Sequence, residues 1–150
     1  MLIGLDPVLS PDLLFALASM GHGDDIAIVD ANFPGASCGQ RVIRLDGVDA
    51  TRVAAAVLTV LPLDDFVPDP AVVMQVVGDP TAVPEAVAEF QAIIDRGADN
   101  PVPIASVERF AFYERSKAAY AVVQTGERRL YGNLILKKGV VRLPTAATGA

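Results

Sequence analysis

Length, composition and charge confine this 150-residue chain to a narrow set of protein classes. Hydrophobic residues make up 52% of the sequence and charged residues 20%, which indicates one folded domain with a real core. The net charge of −6 disfavours a nucleic-acid partner, because phosphate backbones attract basic surfaces. The mean hydropathy is +0.41, yet proline, glycine or charge interrupts every apolar run before the roughly 20 residues that a membrane span needs.

The N-terminal residues and the cysteine count predict where the protein works and what it lacks. The start carries no basic n-region followed by an apolar h-region, so we expect a cytoplasmic protein. One cysteine and one histidine give neither an internal disulfide nor the usual metal-ligand spacing, so we expect any catalysis to be metal-free. The high apolar fraction suggests that an oligomer covers part of the surface.

A helix opens the ordered part of the chain. Ser10 suits an N-cap and Pro11 suits the first helical position. Gly21 is expected to end this helix in the left-handed conformation, which places His22 just beyond the C-terminus. Because the negative end of a helix favours a protonated imidazole, His22 is a candidate acid, although a lone loop histidine is often only structural.

Helices and strands alternate along the rest of the chain. The apolar pattern predicts strands at residues 26–29, 42–43, 71–77, 104–108, 119–124 and 131–137. It predicts helices at residues 49–61 and 85–96, and a helical turn at residues 109–115. This order favours a single α/β domain with a mixed or mostly parallel sheet flanked by helices. We assign residues 1–140 to the domain and residues 141–150 to a flexible tail.

Familiar nucleotide and nucleophile motifs do not occur. The sequence contains no Walker loop, no Gly-x-Gly-x-x-Gly and no serine nucleophile elbow. Cys38 has no base beside it in sequence, so core packing is its better interpretation. The turn-rich segment around it, residues 31–39, could wrap a ligand or could be a plain connector.

A scattered set of polar and aromatic residues suits a sugar. Carboxylates, arginine and asparagine bind vicinal hydroxyls, aromatic rings stack on a pyranose, and histidine or tyrosine can move a proton. Arg109 and Tyr113 are four residues apart and could share a helical face, or Arg109 could pair with a neighbouring glutamate at the surface. The set comprises His22, Asp30, Asp64, Arg109, Tyr113, Tyr131 and Asn133.

Several longer sequence motifs resemble those of the L-fucose mutarotases, a family related to D-ribose pyranase. The resemblance covers residues 9–139. The motifs are Leu9-Ser10-Pro11-Asp12-Leu13-Leu14, Met20-Gly21-His22-Gly23-Asp24, Arg44-Leu45-Asp46-Gly47, Glu108-Arg109-Phe110-Ala111-Phe112-Tyr113-Glu114-Arg115, Thr125-Gly126-Glu127 and Tyr131-Gly132-Asn133-Leu134-Ile135-Leu136-Lys137-Lys138-Gly139. The last two of these motifs favour the fucose branch of the family over the ribose branch. The segments 32–39 and 78–103 match less well, so the preferred sugar could differ.

The resemblance implies an isomerase that interconverts the α and β anomers of a free monosaccharide without a cofactor. It implies an α/β fold assembled into a ring-shaped homodecamer, with sites between subunits. By resemblance His22 is the proton donor and Tyr113 the second catalytic group. The implied substrate contacts are Asp30, Asp64, Met74, Arg109, Tyr131, Gly132 and Asn133.

Mutarotation itself fits these residue types. Opening a hemiacetal takes a proton from the anomeric hydroxyl and gives one to the ring oxygen, and reclosure after rotation yields the other anomer. Arg109 can polarise the developing negative charge. L-fucose is the expected substrate. A pyranase or mutarotase for another sugar, a non-catalytic sugar-binding regulator and a ring protein without a ligand are the alternatives.

Overall fold

The computed structural model describes residues 1–146 and places six strands and five helices within them. The helices are α1 (Pro11–Ser19), α2 (Gly35–Cys38), α3 (Ala50–Leu58), α4 (Glu85–Gly97) and α5 (Arg109–Ala118). The strands are β1 (Asp25–Val29), β2 (Val42–Leu45), β3 (Ala71–Met74), β4 (Ala105–Val107), β5 (Ala121–Thr125) and β6 (Leu134–Lys137).

The strands form one mixed sheet in the order β2-β5-β1-β6-β3-β4. Strands β2, β5 and β1 are mutually parallel, β3 and β4 are parallel, and β6 runs antiparallel between β1 and β3. The carboxyl ends of the five other strands therefore meet the amino end of β6 at one edge. This arrangement confirms the predicted single α/β domain with a mixed sheet.

Two apolar layers cover the sheet, because successive strand residues face opposite sides. On one face, Ile26 and Ile28 of β1 join the core that α1, α3 and α4 cover. On the other face, Ala27 and Val29 pack with α2 and α5 around the fully buried Phe112. The result is a three-layer domain in which the thinner α2–α5 layer lies beside the carboxyl edge of β1.

The end of α1 differs from the sequence prediction. Ser10 caps the start as expected, since its hydroxyl accepts from the Leu13 amide at 3.3 Å. The helix ends at Ser19, and the left-handed glycine is Gly23 (φ 86°) rather than Gly21. The amide of Gly21 instead donates to the Asp24 carboxylate at 2.8 Å, which moves the reversal of the chain to Gly23.

Other boundaries shift where the backbone turns. The predicted strand at residues 71–77 ends at Met74, because the chain reverses around Gly78 (φ 81°). The last predicted strand begins at Leu134 instead of Tyr131, whose φ of 61° is incompatible with extended structure. The segment around Cys38 contains the short helix α2, and the helical turn at residue 109 continues to Ala118.

The chain beyond the last strand is largely exposed. Arg142 makes a bidentate ion pair with Asp65, with its shortest N–O distance at 2.7 Å. The predicted flexible tail at residues 141–150 stays a prediction, and its residues 147–150 lie outside the described residues. No helix within residues 1–146 has the length and apolar character to cross a membrane.

Candidate active site

A small pocket of about 230 Å³ opens at the carboxyl edge of the sheet. It collects residues from the ends of β1 and β3, the start of α5 and the loop before β6. This is the edge at which α/β sheets usually bind ligands. The sequence-predicted residues that line it are Asp30, Met74, Arg109, Tyr113, Tyr131 and Asn133.

Asp30 forms the floor of the pocket, immediately after β1. Its amide donates to the Asn133 side-chain oxygen at 2.8 Å, and its own carboxylate accepts from the Asn32 amide at 3.0 Å. Burial raises the pKa of the Asp30 carboxyl, and the hydrogen bonds to that carboxyl only partly oppose the effect. Asp30 is therefore a fixed carboxyl group whose proton affinity is increased by its surroundings.

The loop that carries Tyr131 and Asn133 has an unusual backbone. Tyr131 is the one non-glycine residue with positive φ in the described part of the chain. Its hydroxyl oxygen accepts from the Val77 amide at 3.1 Å, so the phenolic proton is left to donate elsewhere. Gly132 follows because a Cβ there would lie 2.6 Å from Cγ of Glu127. Gly132 thus permits the turn, whereas its two neighbours line the pocket.

Arg109 supplies a positive charge at the mouth of the pocket. Its guanidinium stacks on Phe110 at 4.6 Å, and its buried Nε has no hydrogen-bond partner among the described residues. The neighbouring glutamates are engaged elsewhere, because Glu108 caps α5 and Glu114 pairs with Lys117 at 2.8 Å. The surface pairing considered for Arg109 is therefore absent, and the guanidinium is available to a ligand.

Tyr113 and Met74 complete the walls. The Tyr113 ring packs edge-on against Phe33 at 5.5 Å, which places a residue of the turn-rich segment in the pocket. Met74 ends β3 with 5% of its surface exposed. An apolar wall opposite hydrogen-bonding groups suits a sugar, which has apolar faces and polar edges.

His22 lies elsewhere, beside the amino end of β1. Its Nε2 is 3.0 Å from Oδ1 of Asp64, and its ring lies 4.8 Å from that of Phe66. The His22 side chain is 43% exposed, whereas that of Asp64 is 2% exposed. The sequence analysis expected the negative end of α1 to face the imidazole. The carbonyls of Leu17 and Met20 at that end instead accept from Lys138 Nζ at 2.7 and 2.6 Å. The negative group facing the imidazole is the Asp64 carboxylate.

The structure thus divides the predicted site residues between two ends of the sheet. Five residue steps along β1 separate Asp25 from Asp30, or about 16 Å at the usual rise per residue. A hydrogen bond needs about 3 Å. His22 and Asp64 therefore do not reach the pocket of their own chain, and Gly132 supports it without lining it.

Two buried polar residues beneath the pocket, Gln124 and Glu127, were not among the predicted site residues. Gln124 is the last residue but one of β5, and its side-chain amide donates to the Asp30 carbonyl at 2.6 Å. Glu127 is 2% exposed and lies under Gly132. The available sequence signal was Gln124, a polar residue near the end of a largely apolar strand. A buried polar side chain usually has a hydrogen-bond partner, so its position indicates a contact.

The described part of the chain contains no candidate metal centre. Across residues 1–146 no three of the His, Cys, Asp and Glu side chains are grouped to hold an ion.

Fold and pocket together define a class, the α/β proteins that bind a small polar molecule at the carboxyl edge of a sheet.

Comparison with known proteins narrows this class. A profile described as the RbsD / FucU transport protein family matches residues 3–141, and the chain belongs to this family. It is 49% identical to human fucose mutarotase, covering 93% of this chain and 94% of the human protein. It is 43% identical to L-fucose mutarotase of Actinobacillus pleuropneumoniae, covering 93% and 97% of the two chains.

A solved structure extends the similarity to three dimensions. Fucose mutarotase from Streptococcus pneumoniae, crystallised in complex with L-fucose, superposes with a TM-score of 0.88 at 42% identity. The match covers 94% of this chain and all of the other. The resemblance to the fucose mutarotases noted in the sequence is therefore confirmed.

Proposed function

We propose that this protein interconverts the α and β anomers of free L-fucose by acid/base ring opening and reclosure, without a cofactor. The observation that carries the proposal is the sugar-sized pocket with Asp30, Arg109 and Tyr131 in a chain 42% identical to a fucose mutarotase crystallised with L-fucose. The class of enzyme is an isomerase, and the substrate is a free monosaccharide.

The side chains can share the two proton transfers of the reaction. His22 gives a proton to the ring oxygen, while Tyr113 accepts the proton of the anomeric hydroxyl and passes its own phenolic proton to solvent; reclosure reverses these transfers. Arg109 stabilises negative charge that develops on oxygen, because no group within residues 1–146 occupies its buried Nε. The remaining contacts orient the sugar through Asp30, Met74, Tyr131, Gly132 and Asn133.

A second subunit supplies the missing half of each site. His22 and Asp64 lie at the amino end of β1, and about 16 Å of strand separates that end from the pocket edge, so a neighbouring subunit supplies its own His22 and Asp64 to the pocket. Asp64 holds His22 through Oδ1 and contacts the sugar through its other oxygen. Exposed apolar residues accompany both halves, as an interface requires. Val77, Phe110 and Leu130 lie at the pocket, Phe66 packs against His22, and Val141 and Leu143 flank Arg142, which stacks on Phe66.

A head-to-tail contact between identical subunits forms a closed ring when the rotation per subunit completes a full turn. A ring-shaped decamer is the assembly that the family resemblance implies, and we adopt it as part of the proposal. The cytoplasmic location stays a prediction.

Saturation-transfer NMR between the α and β anomeric protons of L-fucose tests the reaction directly. We expect the protein to accelerate exchange for L-fucose more than for D-ribose, and His22→Ala to lower the rate at least about 100-fold. A protein that leaves the exchange of both sugars at the spontaneous rate would refute the proposal.

Thermal unfolding separates a catalyst from a sugar-binding protein. A ligand at 100 times its dissociation constant adds about 2.7 kcal/mol to the free energy of unfolding. Stabilisation by L-fucose without accelerated exchange would favour the non-catalytic regulator. Absence of both effects would favour a protein without a sugar ligand.

A further inference from the structure

The turn at Tyr131 needs support from outside the pocket. A non-glycine residue at φ 61° occupies a sparsely populated region, which persists only when surrounding contacts hold it. The hydrogen bond from the Val77 amide to the Tyr131 hydroxyl holds the ring, but it does not fix the backbone of the loop. The support for that backbone has to come from the residues before it.

Glu127 provides this support from beneath the loop. Its buried Oε1 accepts from both the amide and Nε of Arg129, each at 3.0 Å, and Oε2 accepts from Nη2 at 3.0 Å. Its Cγ packs so closely under Gly132 that no Cβ fits between them. The loop from residue 127 to residue 133 therefore curls around one carboxylate.

Arg129 ties this carboxylate to two helices. Its guanidinium reaches Glu89 at 3.0 Å and Glu85 at 3.3 Å on α4, and Thr51 at 3.4 Å on α3. The resulting network lowers the pKa of Glu127, mainly through the hydrogen bonds from Arg129. The pair is thus a charged link between the rigid helical layer and the loop, and neither residue lines the pocket.

We infer that Glu127 and Arg129 are positioning residues that hold Tyr131 and Asn133 in the geometry that binds the sugar. This inference rests on the proposed function. Removing the pair leaves both side chains in the chain but lets the loop relax to an ordinary backbone conformation. Sugar binding then suffers more than the proton transfers, which depend on His22 and Tyr113.

Glu127→Gln tests the inference with little change of shape. We expect KM for L-fucose to rise about tenfold, with a smaller change in kcat, because the binding geometry is loosened in the free enzyme. Arg129→Met should reproduce this effect from the other partner, and it serves as the test if Glu127→Gln does not fold. Asp6→Asn is the matched control, since it removes a bidentate partner of Arg52 on α3, away from the pocket.

Amide hydrogen exchange gives a second readout that needs no sugar. The amide of Val77, which donates to the Tyr131 hydroxyl, and that of Asp30, which donates to the Asn133 side chain, should exchange faster in Glu127→Gln than in the natural protein, and at the natural rate in Asp6→Asn. Unchanged amide exchange, or a KM within twofold of the natural value in a folded variant, would overturn the positioning role. An inactive natural protein would remove the proposed function, while the amide exchange would still support or overturn loop positioning.

Discussion

Complementation between two inactive variants tests the shared site most directly. His22→Ala damages the half of the site at the amino end of β1, and Arg109→Ala damages the half at the carboxyl edge. If each working site joins the His22 half of one subunit to the pocket half of its neighbour, a mixed ring regains sites that neither variant has alone.

The size of the recovery follows from the geometry. In a randomly mixed one-to-one assembly, half of the subunits offer an intact His22 and half offer an intact pocket. Both intact halves meet in about a quarter of the contacts, so the mixture should reach about a quarter of the natural rate. The two halves of a single chain cannot form one site, because about 16 Å of strand separates them. Any recovered activity therefore comes from contacts between subunits.

The assay is saturation-transfer NMR of L-fucose on variants refolded together, with two different tags to confirm mixed assemblies. A mixture of His22→Ala with Asp64→Ala is the matched control. His22 and Asp64 are hydrogen-bonded to each other and belong to the same half, so their mixture has no intact half of that kind and should stay inactive. Confirmed mixed assemblies of His22→Ala and Arg109→Ala without recovered activity would refute the shared site.

Three further predictions follow from single contacts. Because burial raises the pKa of Asp30, the native state holds more protons than the unfolded chain between the ordinary and the raised value, and the free energy of unfolding falls as pH rises through that window. Asp30→Asn should therefore gain more stability over the natural protein at about pH 7 than at about pH 3 in urea unfolding; equal differences would contradict this. Lys138→Met removes the ammonium that binds two carbonyls at the end of α1, so urea unfolding should show a loss of about 1–3 kcal/mol and NMR a slower anomer exchange. Phe112→Ala should cost about 3–5 kcal/mol in urea unfolding because the ring is fully buried, whereas the exposed Phe15 on α1 should tolerate alanine within about 0.5 kcal/mol.

Local chemistry made much of the fold predictable. Ser10 and Pro11 start α1 through groups that act within one helical turn, and the apolar spacing of α4 depends only on residues three and four apart. The alternation of such segments was enough to predict an α/β domain. The backbone turn at Tyr131 was not predictable, because Glu127 and Arg129 stabilise it through helices α3 and α4, far away in sequence.

The sequence by itself determined the residue types of the candidate site, through short motifs such as Met20-Gly21-His22-Gly23-Asp24. Only the tertiary structure decided which of them meet. Asp30 and Asn133 are 103 positions apart and hydrogen-bond, because β6 returns antiparallel beside β1. His22 and Asp30 are eight positions apart and lie at opposite ends of one strand, because an extended strand carries its two ends away from each other.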